Sequence, residues 1–339
     1  MKAARLHEFG GDFVIEDVPT PSPKAGEVLI RVGGAGACHS DLHVKTGEIP
    51  GLATPLLMGH ENAGWVETLG SGVEGLAPGD PVAVFGGWGC GRCRFCLGGQ
   101  EQLCDTFRWG GMGPAGGYAE YLLVPSSRHL LPIGDLDPVL AAPLTDAALT
   151  PYAAVKKVLP KLVPGSTAVL IGAGGLGQYA VQFLRLLTEA TVVVVDTSAD
   201  KRASAQALGA DHVIDPADDQ ALNQIKDIAG GEGAAAVLDL VGVDATLSLG
   251  ASALRRQGTL MLVGLAGGSY PFSFFTLPSE ATLTSSNWGS RNELEEVLAL
   301  AHSGRMVSTI EQRPLEEINE VFARLAAGQI KGRAGRRPR

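Results

Sequence analysis

The stretch VLIGAGGLGQYA, residues 169–180, joins a run of apolar residues to a glycine-rich turn and the start of a helical pattern. Glycines in the pattern G-x-G-x-x-G allow a tight turn and bring backbone N–H groups close to a pyrophosphate, where a helix N-terminus favours negative charge. Because a strand precedes the pattern and a helix follows it, we predict a dinucleotide-binding loop. The loop residues expected at the cofactor are Gly172, Gly174, Gly175, Leu176 and Gly177.

Strand-like and helix-like segments alternate around this loop. From STAVLIG through TVVVVD and AAAVLDLV to GTLMLVG, short β-branched runs are separated by helical patterns. Such alternation predicts βαβ units on a parallel sheet, and we place a doubly wound domain at residues 149–288. Residues 1–148 contain short apolar runs separated by glycine and proline, which predicts a β-rich domain with long loops. The run PLTDAALTPYAAVKKVL before the boundary predicts a helix, and two more helical patterns lie in residues 289–339, which the pattern alone assigns to neither domain.

A carboxylate follows the second strand of the predicted parallel sheet. Asp196 ends the run TVVVVD, 19 residues after Gly177. A carboxylate at that point accepts hydrogen bonds from an adenosine ribose and repels a 2′-phosphate, so the sequence favours NAD over NADP. Lys201 and Arg202 follow closely and keep NADP open, and Arg202 is a further candidate cofactor contact.

Four of the five cysteines lie in CGRCRFCLGGQEQLC, residues 90–104. The spacing C-x2-C-x2-C-x7-C offers four thiolates on one loop, which is typical of a closed structural zinc site. An iron–sulfur cluster is the alternative, and two disulfides fit less well in a reducing compartment. The predicted zinc ligands are Cys90, Cys93, Cys96 and Cys104.

The composition limits the partners. With 27 basic and 36 acidic residues the formal net charge is -9, which argues against nucleic acid. No apolar run approaches the length of a membrane span, and the start lacks the apolar core of a signal peptide, so we expect a cytoplasmic protein with a small-molecule partner. The basic tail KGRAGRRPR is interpreted mostly as a solvated end.

A second metal site would have to use Cys38, the remaining thiol. It lies in CHSDLH, followed by His60 and Glu61 in GHENAG and by Asp146 in PLTDAALTPY. Thiolate and imidazole are good zinc ligands, and three protein ligands leave one position for substrate. The residues alone leave a structural histidine and a helix N-cap open for His60 and Asp146.

In this order, Cys38, His60, the cysteine array and GAGGLG resemble the zinc-dependent medium-chain alcohol dehydrogenases over nearly the whole chain. PLTDAALTPY makes the likeness closest to Rhodococcus-type secondary alcohol dehydrogenases, with Asp146 standing where the family more commonly has cysteine. The resemblance implies an α/β protein with a GroES-like β-rich catalytic domain and a Rossmann domain, and residues 289–339 returning to the catalytic domain. It implies two zinc ions per chain, the catalytic one held by Cys38, His60 and Asp146.

The resemblance also implies roles around that zinc. Ser40 would hydrogen-bond the substrate alcohol and His43 would pass its proton to solvent. Asp41 would orient His60, and Glu61 would lie behind the metal. Further cofactor contacts are implied for His39, Thr150 and Arg333.

Four apolar residues are implied as the substrate pocket: Ile49, Phe85, Trp109 and Trp288. They favour secondary or bulky hydrophobic alcohols and their ketones. A primary or aromatic alcohol dehydrogenase, a polyol dehydrogenase and a non-catalytic zinc- and nucleotide-binding protein stay open. Because family members are usually dimers or tetramers, a homo-oligomer is expected, with a homotetramer as the first choice.

Overall fold

The computed structural model describes residues 1–113 and 115–336 of the chain. The strands are β1 (Lys2–Leu6), β2 (Phe13–Asp17), β3 (Val28–Ala37), β4 (Leu56–Met58), β5 (Glu61–Leu69), β6 (Pro81–Val84), β7 (Gly87–Trp88), β8 (Arg108–Trp109), β9 (Met112–Gly113), β10 (Tyr121–Val124), β11 (Leu130–Pro132), β12 (Thr167–Ile171), β13 (Thr191–Val195), β14 (His212–Ile214), β15 (Ala234–Asp239), β16 (Leu254–Leu262), β17 (Thr282–Ser285), β18 (Ile310–Arg313) and β19 (Arg333–Arg336).

The α-helices are α1 (His39–Lys45), α2 (Arg94–Leu97), α3 (Pro138–Ala141), α4 (Leu149–Val158), α5 (Gly177–Leu187), α6 (Ala199–Ala207), α7 (Ala221–Ile228), α8 (Asp244–Ala253), α9 (Arg291–His302) and α10 (Ile318–Ala326). Short 3₁₀ turns cover Glu101–Leu103, Ser127–His129, Ala142–Thr145, Leu159–Lys161 and Leu315–Glu317. Among the residues that the structure describes, no helix combines the length and the apolar character that crossing a bilayer requires.

The chain divides into two compact units. The first unit comprises Met1–Leu149 and Gly289–Arg339, and the second comprises Thr150–Trp288. Each unit buries an apolar core of its own. The α/β fold class, with a β-rich unit and a parallel-sheet unit, is confirmed.

The first unit is built around β3, which pairs with β5 and β10 as well as with β19. The sheet runs β11-β6-β5-β3-β19-β18, and a smaller sheet runs β2-β1-β4-β9. The antiparallel register sets Ala334 of β19 opposite Ala37 of β3. The last segment of the chain therefore completes the sheet that the first segment begins.

Pairing of β19 corrects the interpretation of KGRAGRRPR as a mostly solvated end. Arg333 and Ala334 are buried, because backbone pairing with β3 and β18 and an ion pair of the Arg333 side chain offset the cost of burial. Arg337 and Arg339 of the predicted basic tail lie outside the described residues.

The second unit contains a parallel sheet in the order β14-β13-β12-β15-β16-β17. Both faces of its central strand β12 are covered, as expected for the apolar run TAVLI. The strand order reverses direction between β12 and β15, and the loop after β12 is the glycine-rich stretch. Ligands of open α/β sheets bind outside the carboxyl ends of the strands at such a point, so this topology puts the glycine loop where a dinucleotide binds.

One predicted helix is broken in a way that matters for the site. PLTDAALTPYAAVKKVL forms the 3₁₀ turn Ala142–Thr145 and the separate helix α4, with Asp146 between them. Asp146 adopts φ -140° and ψ -61°, outside helical geometry. The single helix predicted for this run is therefore wrong, because the break at Asp146 turns its carboxylate toward His60.

Candidate active site

The four cysteines of the loop at residues 90–104 converge in the first unit. The Sγ atoms of Cys93 and Cys96 are 3.5 Å apart and those of Cys90 and Cys96 are 4.0 Å apart. All four Sγ atoms lie within 4.8 Å of one another. A tetrahedral zinc with Zn–S bonds of about 2.3 Å separates its sulfurs by about 3.8 Å, so the four thiols fit one closed zinc site.

The thiols of this cluster differ in acidity. A hydrogen bond to Thr106 and the backbone N–H of Cys90 lower the pKa of Cys104 to about 6. Backbone N–H groups of Arg92 and Cys93 also lower the pKa of Cys90, whereas burial raises that of Cys96 to about 12. Cys104 is therefore mostly a thiolate at neutral pH, whereas metal binding must displace the proton of Cys96.

Three polar side chains, Glu101, Arg128 and His129, hold the backbone of Gly89, the residue before the cysteine loop. Arg128 Nη2 donates to the carbonyl of Gly89 at 2.5 Å, and Glu101 accepts the N–H of Gly89. His129 Nδ1 faces Glu101 Oε2 at 3.4 Å. Burial, the first cause, and the nearby arginines lower the pKa of His129 to about 3, so the ring is neutral. This group holds the backbone that leads into Cys90.

The second cluster brings together residues from three distant parts of the first unit. Cys38 follows β3, His60 precedes β5, and Asp146 follows a 3₁₀ turn. Cys38 Sγ is 3.6 Å and His60 Nε2 is 3.3 Å from Asp146 Oδ2. An ion with tetrahedral zinc bond lengths separates S from O by about 3.5 Å and N from O by about 3.3 Å. The three side chains therefore fit a single zinc ion, and they are buried.

Asp41 fixes the imidazole of His60. His60 Nδ1 donates to Asp41 Oδ1 at 3.0 Å, which leaves Nε2 to face Asp146. Asp41 is the third residue of α1, and its Oδ2 also accepts the N–H of Cys38 at 2.9 Å. One carboxylate thus starts the helix and sets the orientation of a zinc-ligand candidate, as carboxylates behind zinc histidines do.

Without metal, the imidazole of His60 holds a proton strongly. Burial alone would lower the pKa of His60, but the charge of Asp41 and hydrogen bonds to Asp146, Asp41 and Cys38 outweigh it and raise that pKa well above its ordinary value. The proton balances the buried carboxylates. Zinc must displace it, because only a neutral imidazole binds a metal.

Behind the cluster, Glu61 forms a buried ion pair with Arg333. Arg333 Nε lies 3.0 Å from Glu61 Oε2, and the guanidinium also contacts Oε1 through Nη2. Burial raises the pKa of Glu61 to about 7, although Arg333 opposes the shift. A Cβ at Gly36 would collide with the Glu61 carboxylate, so any side chain here would have to displace that carboxylate from its ion pair. Arg333 also lies 3.6 Å from Asp146, and its predicted contact with a pyrophosphate stays a prediction.

Helix α1 carries the other polar candidates. Ser40 Oγ lies 3.4 Å from His60 Nε2, the nitrogen that would bind zinc. His43 Nδ1 contacts the exposed carboxylate of Glu48 at 2.6 Å. His39, the first residue of the helix, is exposed. The structure thus brings Ser40 to the cluster and shows His43 beside a solvent-exposed carboxylate.

The candidate pocket residues lie in different surroundings. The ring of Trp109 is 5.6 Å from that of His60, centroid to centroid, and half-buried Ile49 packs against the same core. Phe85 is fully buried. Trp288 is buried with a φ of 46° and belongs to the second unit, as does the predicted cofactor contact Thr150. Of the four, the structure brings Trp109 to the metal ligands.

In the second unit, the three glycines of the motif have different reasons to be glycine. Gly172 has a φ of 97°, a conformation that favours glycine. A Cβ at Gly177 would collide with the carbonyl of Gly172, whereas a Cβ at Gly174 would meet nothing within 4 Å. Gly172 and Gly177 are therefore needed for the conformation and packing of the loop, whereas Gly174 leaves open space beside it. This open backbone beside the start of α5 is the arrangement that pyrophosphate-binding glycine loops use.

Asp196 closes this loop from the neighbouring strand. Its Oδ2 accepts the N–H of Ala173 and its Oδ1 that of Ser198, both at 2.8 Å. Arg202 Nη1 donates to the Asp196 carbonyl at 2.6 Å and its Nη2 lies 2.9 Å from Asp215 Oδ2. The carboxylate of Asp196 is thus fixed beside the glycine loop, and Arg202 is engaged by acceptors of its own unit.

Two supporting groups carry no signal in the sequence. Tyr118 donates to Asp41 Oδ2 at 2.8 Å, but YAEYLLV reads simply as an apolar strand. Glu101 lies in the cysteine loop, whereas Arg128 and His129 lie in the 3₁₀ turn before β11, so the three meet only through tertiary contacts. Single-sequence spacing could not have pointed to either group, because the members of each lie far apart in the chain and mostly outside strands.

Comparisons with known proteins agree with this geometry. Residues 24–135 match the family described as alcohol dehydrogenase GroES-like domain, and residues 175–303 match zinc-binding dehydrogenase. An NAD-dependent alcohol dehydrogenase of Sulfurisphaera tokodaii is 38% identical over 98% of this chain and 99% of its own. A D-arabinose 1-dehydrogenase (NADP(+)) of Saccharolobus solfataricus is 38% identical over 98% of this chain and 96% of its own. The crystal structure of an alcohol dehydrogenase of Aeropyrum pernix has a TM-score of 0.94 at 37% identity and covers 100% of both chains.

Proposed function

The chain belongs to the zinc-binding alcohol dehydrogenase family, and on that premise we propose that it transfers hydride between NAD and secondary or bulky hydrophobic alcohols and their ketones. One observation carries the proposal. Cys38, His60 and Asp146 bring a sulfur, a nitrogen and an oxygen to the distances of one tetrahedral ion. This donor set has three protein ligands, and the fourth position is left for substrate.

When bound, zinc supplies a Lewis acid for the alcohol or ketone oxygen, and NAD supplies the hydride acceptor or donor. The Cys38 thiolate, His60 Nε2 and Asp146 Oδ2 would hold the metal. Asp41 keeps Nδ1 of His60 protonated, so that Nε2 presents its lone pair. Glu61 lies next to these three ligands, and its carboxylate is engaged in an ion pair with Arg333.

Ser40 and His43 move the proton in this proposal. Ser40 Oγ, beside His60 Nε2, would accept the hydroxyl proton of the alcohol and at the same time release its own hydroxyl proton. His43 carries that proton toward solvent, supported by its contact with Glu48. The pKa of Glu48 is lowered by its hydrogen bonds with His43 and Thr46, so the carboxylate stays charged and orients the ring. His39 and Thr150 remain proposed cofactor contacts.

The glycine loop and Asp196 bind NAD. Open space over Gly174 receives the pyrophosphate, and the Asp196 carboxylate accepts the ribose hydroxyls. The D-arabinose relative is named for NADP(+), so cofactor choice needs a direct test. We expect at least a tenfold preference for NAD, and Asp196→Asn to reduce that preference, because it removes the repelling charge while keeping an oxygen acceptor.

Apolar side chains support the substrate preference. Half-buried Trp109 lies beside His60, half-buried Ile49 packs against the core of the same unit, and Phe85 is buried in that unit. Trp288 remains a predicted residue of the substrate pocket. A sugar or polyol dehydrogenase is the second candidate, favoured by the similarity to the D-arabinose enzyme. Primary or aromatic alcohols are the third possibility.

A substrate panel separates these functions. NADH formation is measured with 2-octanol, 1-octanol, sorbitol and D-arabinose. The proposal requires the highest kcat/KM for 2-octanol, and a higher value for sorbitol or D-arabinose contradicts it. Turnover of none of them by protein carrying two zinc ions would leave the non-catalytic zinc- and nucleotide-binding alternative.

The variant Ile49→Trp tests whether Ile49 contributes to the preference for bulky alcohols. Ile49→Trp fills space that the pocket needs for a bulky chain, so kcat/KM should fall about tenfold for 2-octanol and little for 2-propanol. Ile49→Val is the matched control that leaves the space open. Equal losses for both alcohols in Ile49→Trp would remove Ile49 from the pocket.

The assembly and location belong to the proposal as well. As in the family, the chain forms a homo-oligomer, a tetramer or a dimer, in the cytoplasm, with no nucleic acid or membrane partner. Light scattering on the eluting protein distinguishes a tetramer or dimer from a monomer.

A further inference from the structure

Tyr118 lies one hydrogen bond behind the carboxylate that orients His60. Its hydroxyl donates to Asp41 Oδ2 at 2.8 Å and also lies 3.1 Å from the carbonyl oxygen of Gly36. The ring is 2% exposed. Neither its position before β10 nor the predicted catalytic set assigns this residue a part in the reaction.

We propose that Tyr118 is a positioning residue of the catalytic zinc, acting through Asp41 on His60. This inference rests on the proposed role of Cys38, His60 and Asp146 as zinc ligands. The chain of contacts runs from the Tyr118 hydroxyl to Asp41 Oδ2 and from Asp41 Oδ1 to His60 Nδ1.

The hydrogen bonds of Asp41 explain why a third donor matters. Its carboxylate is fully buried, and an anion there requires donors in place of water. The Cys38 N–H and the Tyr118 hydroxyl share Oδ2, so that within residues 1–113 and 115–336 Oδ1 faces His60 alone. Removing the hydroxyl leaves Oδ2 one donor short and frees the carboxylate to rotate away from His60.

The protein holds Tyr118 as firmly as a positioning role requires. Its N–H donates to the carbonyl of Met58, and its own carbonyl accepts the N–H of Ala4. Phe13 and Phe322 pack against the ring edge-on, at 6.1 and 5.9 Å between centroids. Burial and then the charge of Asp41 raise the pKa of Tyr118 well above its ordinary value, so the hydroxyl stays a donor.

The chain offers a matched pair of variants. Tyr118→Phe removes the hydroxyl and keeps the packed ring. Tyr121→Phe removes the same atom three residues further on, from a half-buried side chain in β10. The four-cysteine zinc is an internal standard, because Tyr118 contacts none of its ligands in the described residues. Folded protein is isolated by size exclusion before each measurement.

Zinc release to a chromophoric chelator is the first readout. We expect Tyr118→Phe to release the catalytic zinc about tenfold faster than the unmodified protein, within the range typical of groups behind zinc ligands. The four-cysteine zinc and Tyr121→Phe should show unchanged rates. Equal acceleration of both zinc ions would mean general loosening and would overturn the proposal, as would no acceleration.

A double-mutant cycle tests the route through Asp41. If Tyr118 acts through that carboxylate, Tyr118→Phe should add little once Asp41→Asn is present. Cobalt substituted at the catalytic site gives an independent readout, because its visible spectrum should change in Tyr118→Phe and not in Tyr121→Phe. Additive effects on release with an unchanged cobalt spectrum contradict the proposal. Failure of the proposed function itself appears differently, as no metal bound by Cys38, His60 and Asp146 in the unmodified protein.

Discussion

The two metal clusters of the first unit are assembled in opposite ways. The four-cysteine cluster takes its ligands from one loop of residues 90–104, and one of its members, Cys90, is exposed. The second cluster joins Cys38 to Asp146 across a sequence separation of 108 residues, and every member is buried. The first is a local structure with its own ligand set, whereas the second exists only where the fold brings β3, β5 and the 3₁₀ turn together.

Their electrostatics differ as well. Backbone N–H groups support the thiolates of the loop, with Cys90 N donating to Cys104 Sγ and Cys96 N to Cys93 Sγ. The second cluster instead contains buried carboxylates, and Arg333 lies against two of them, Glu61 and Asp146. Breaking one partner of a buried charge pair costs about 3–5 kcal/mol. The second cluster is therefore held by charged side chains from distant parts of the unit, whereas backbone N–H groups of the cysteine loop itself support its thiolates.

The largest effect should come from Cys38→Ser. Serine replaces a thiolate ligand with a weak one, and the Lewis acid contribution of several kcal/mol corresponds to a loss of about 10³-fold or more in kcat/KM. Zinc content should fall from two ions per chain to one while the thermal midpoint changes little. NADH formation and elemental analysis measure both. Full activity of Cys38→Ser would remove the second cluster from the reaction.

The reciprocal change, Cys96→Ser, should act on stability. It removes a buried ligand of the cysteine loop and with it several kcal/mol of metal-linked folding free energy, so we expect a thermal midpoint lower by about 10 °C. Turnover per folded molecule should be largely retained. Leu97→Ser is the matched control, because the Leu97 side chain lies on the same loop and is 76% exposed. If Cys96→Ser lost turnover but kept its thermal stability, the cysteine loop would not be a purely structural site, and the proposed difference between the two clusters would be wrong.

The same contrast explains what the sequence could predict. The cysteine spacing and the glycine motif are local, so residue order alone identified a four-thiol cluster and a loop between β12 and α5. The alternation of strands and helices was equally local and led to the confirmed fold class. Asp146 and His60 were recognised as a pair only through resemblance to a family, since no periodicity connects residues 86 positions apart.

Elements that depend on tertiary contacts escaped prediction. Helix α1 is seven residues long and begins at a capping arrangement between Cys38 and Asp41, too short for a helical period to show. Strand β19 is basic and forms because β3 and β18 offer their edges. Tyr118 looks like one more apolar position of a strand. The partners of β19 and Tyr118 are far away in sequence, and the cap of α1 has no recognisable sequence signature.

The smallest expected effect tests whether the cysteine loop has an electrostatic support of its own. The neutral ring of His129 has a pKa of about 3 in the folded protein, against 6.5 in an ordinary histidine, because burial and then Arg128, Arg291 and Arg108 disfavour its charge. A group whose folded pKa is depressed contributes fully above pH 6.5, and its contribution is lost progressively as the pH falls toward 3. Between pH 7.5 and 5.0 His129 should therefore cost about 2 kcal/mol of unfolding free energy.

Urea unfolding of the unmodified protein and of His129→Gln at the two pH values measures this cost. Glutamine does not titrate, so the variant should lose about 2 kcal/mol less between pH 7.5 and 5.0. Zinc loss at low pH contributes to both proteins, and the difference between them isolates the ring. Arg128 Nε lies 3.4 Å from His129 Nε2 and can only donate, which requires the tautomer with its proton on Nδ1, facing Glu101. Identical pH dependence of the two proteins would mean that the pKa of His129 is the same in the folded and unfolded states, and the predicted effect of burial and of the arginines would be wrong.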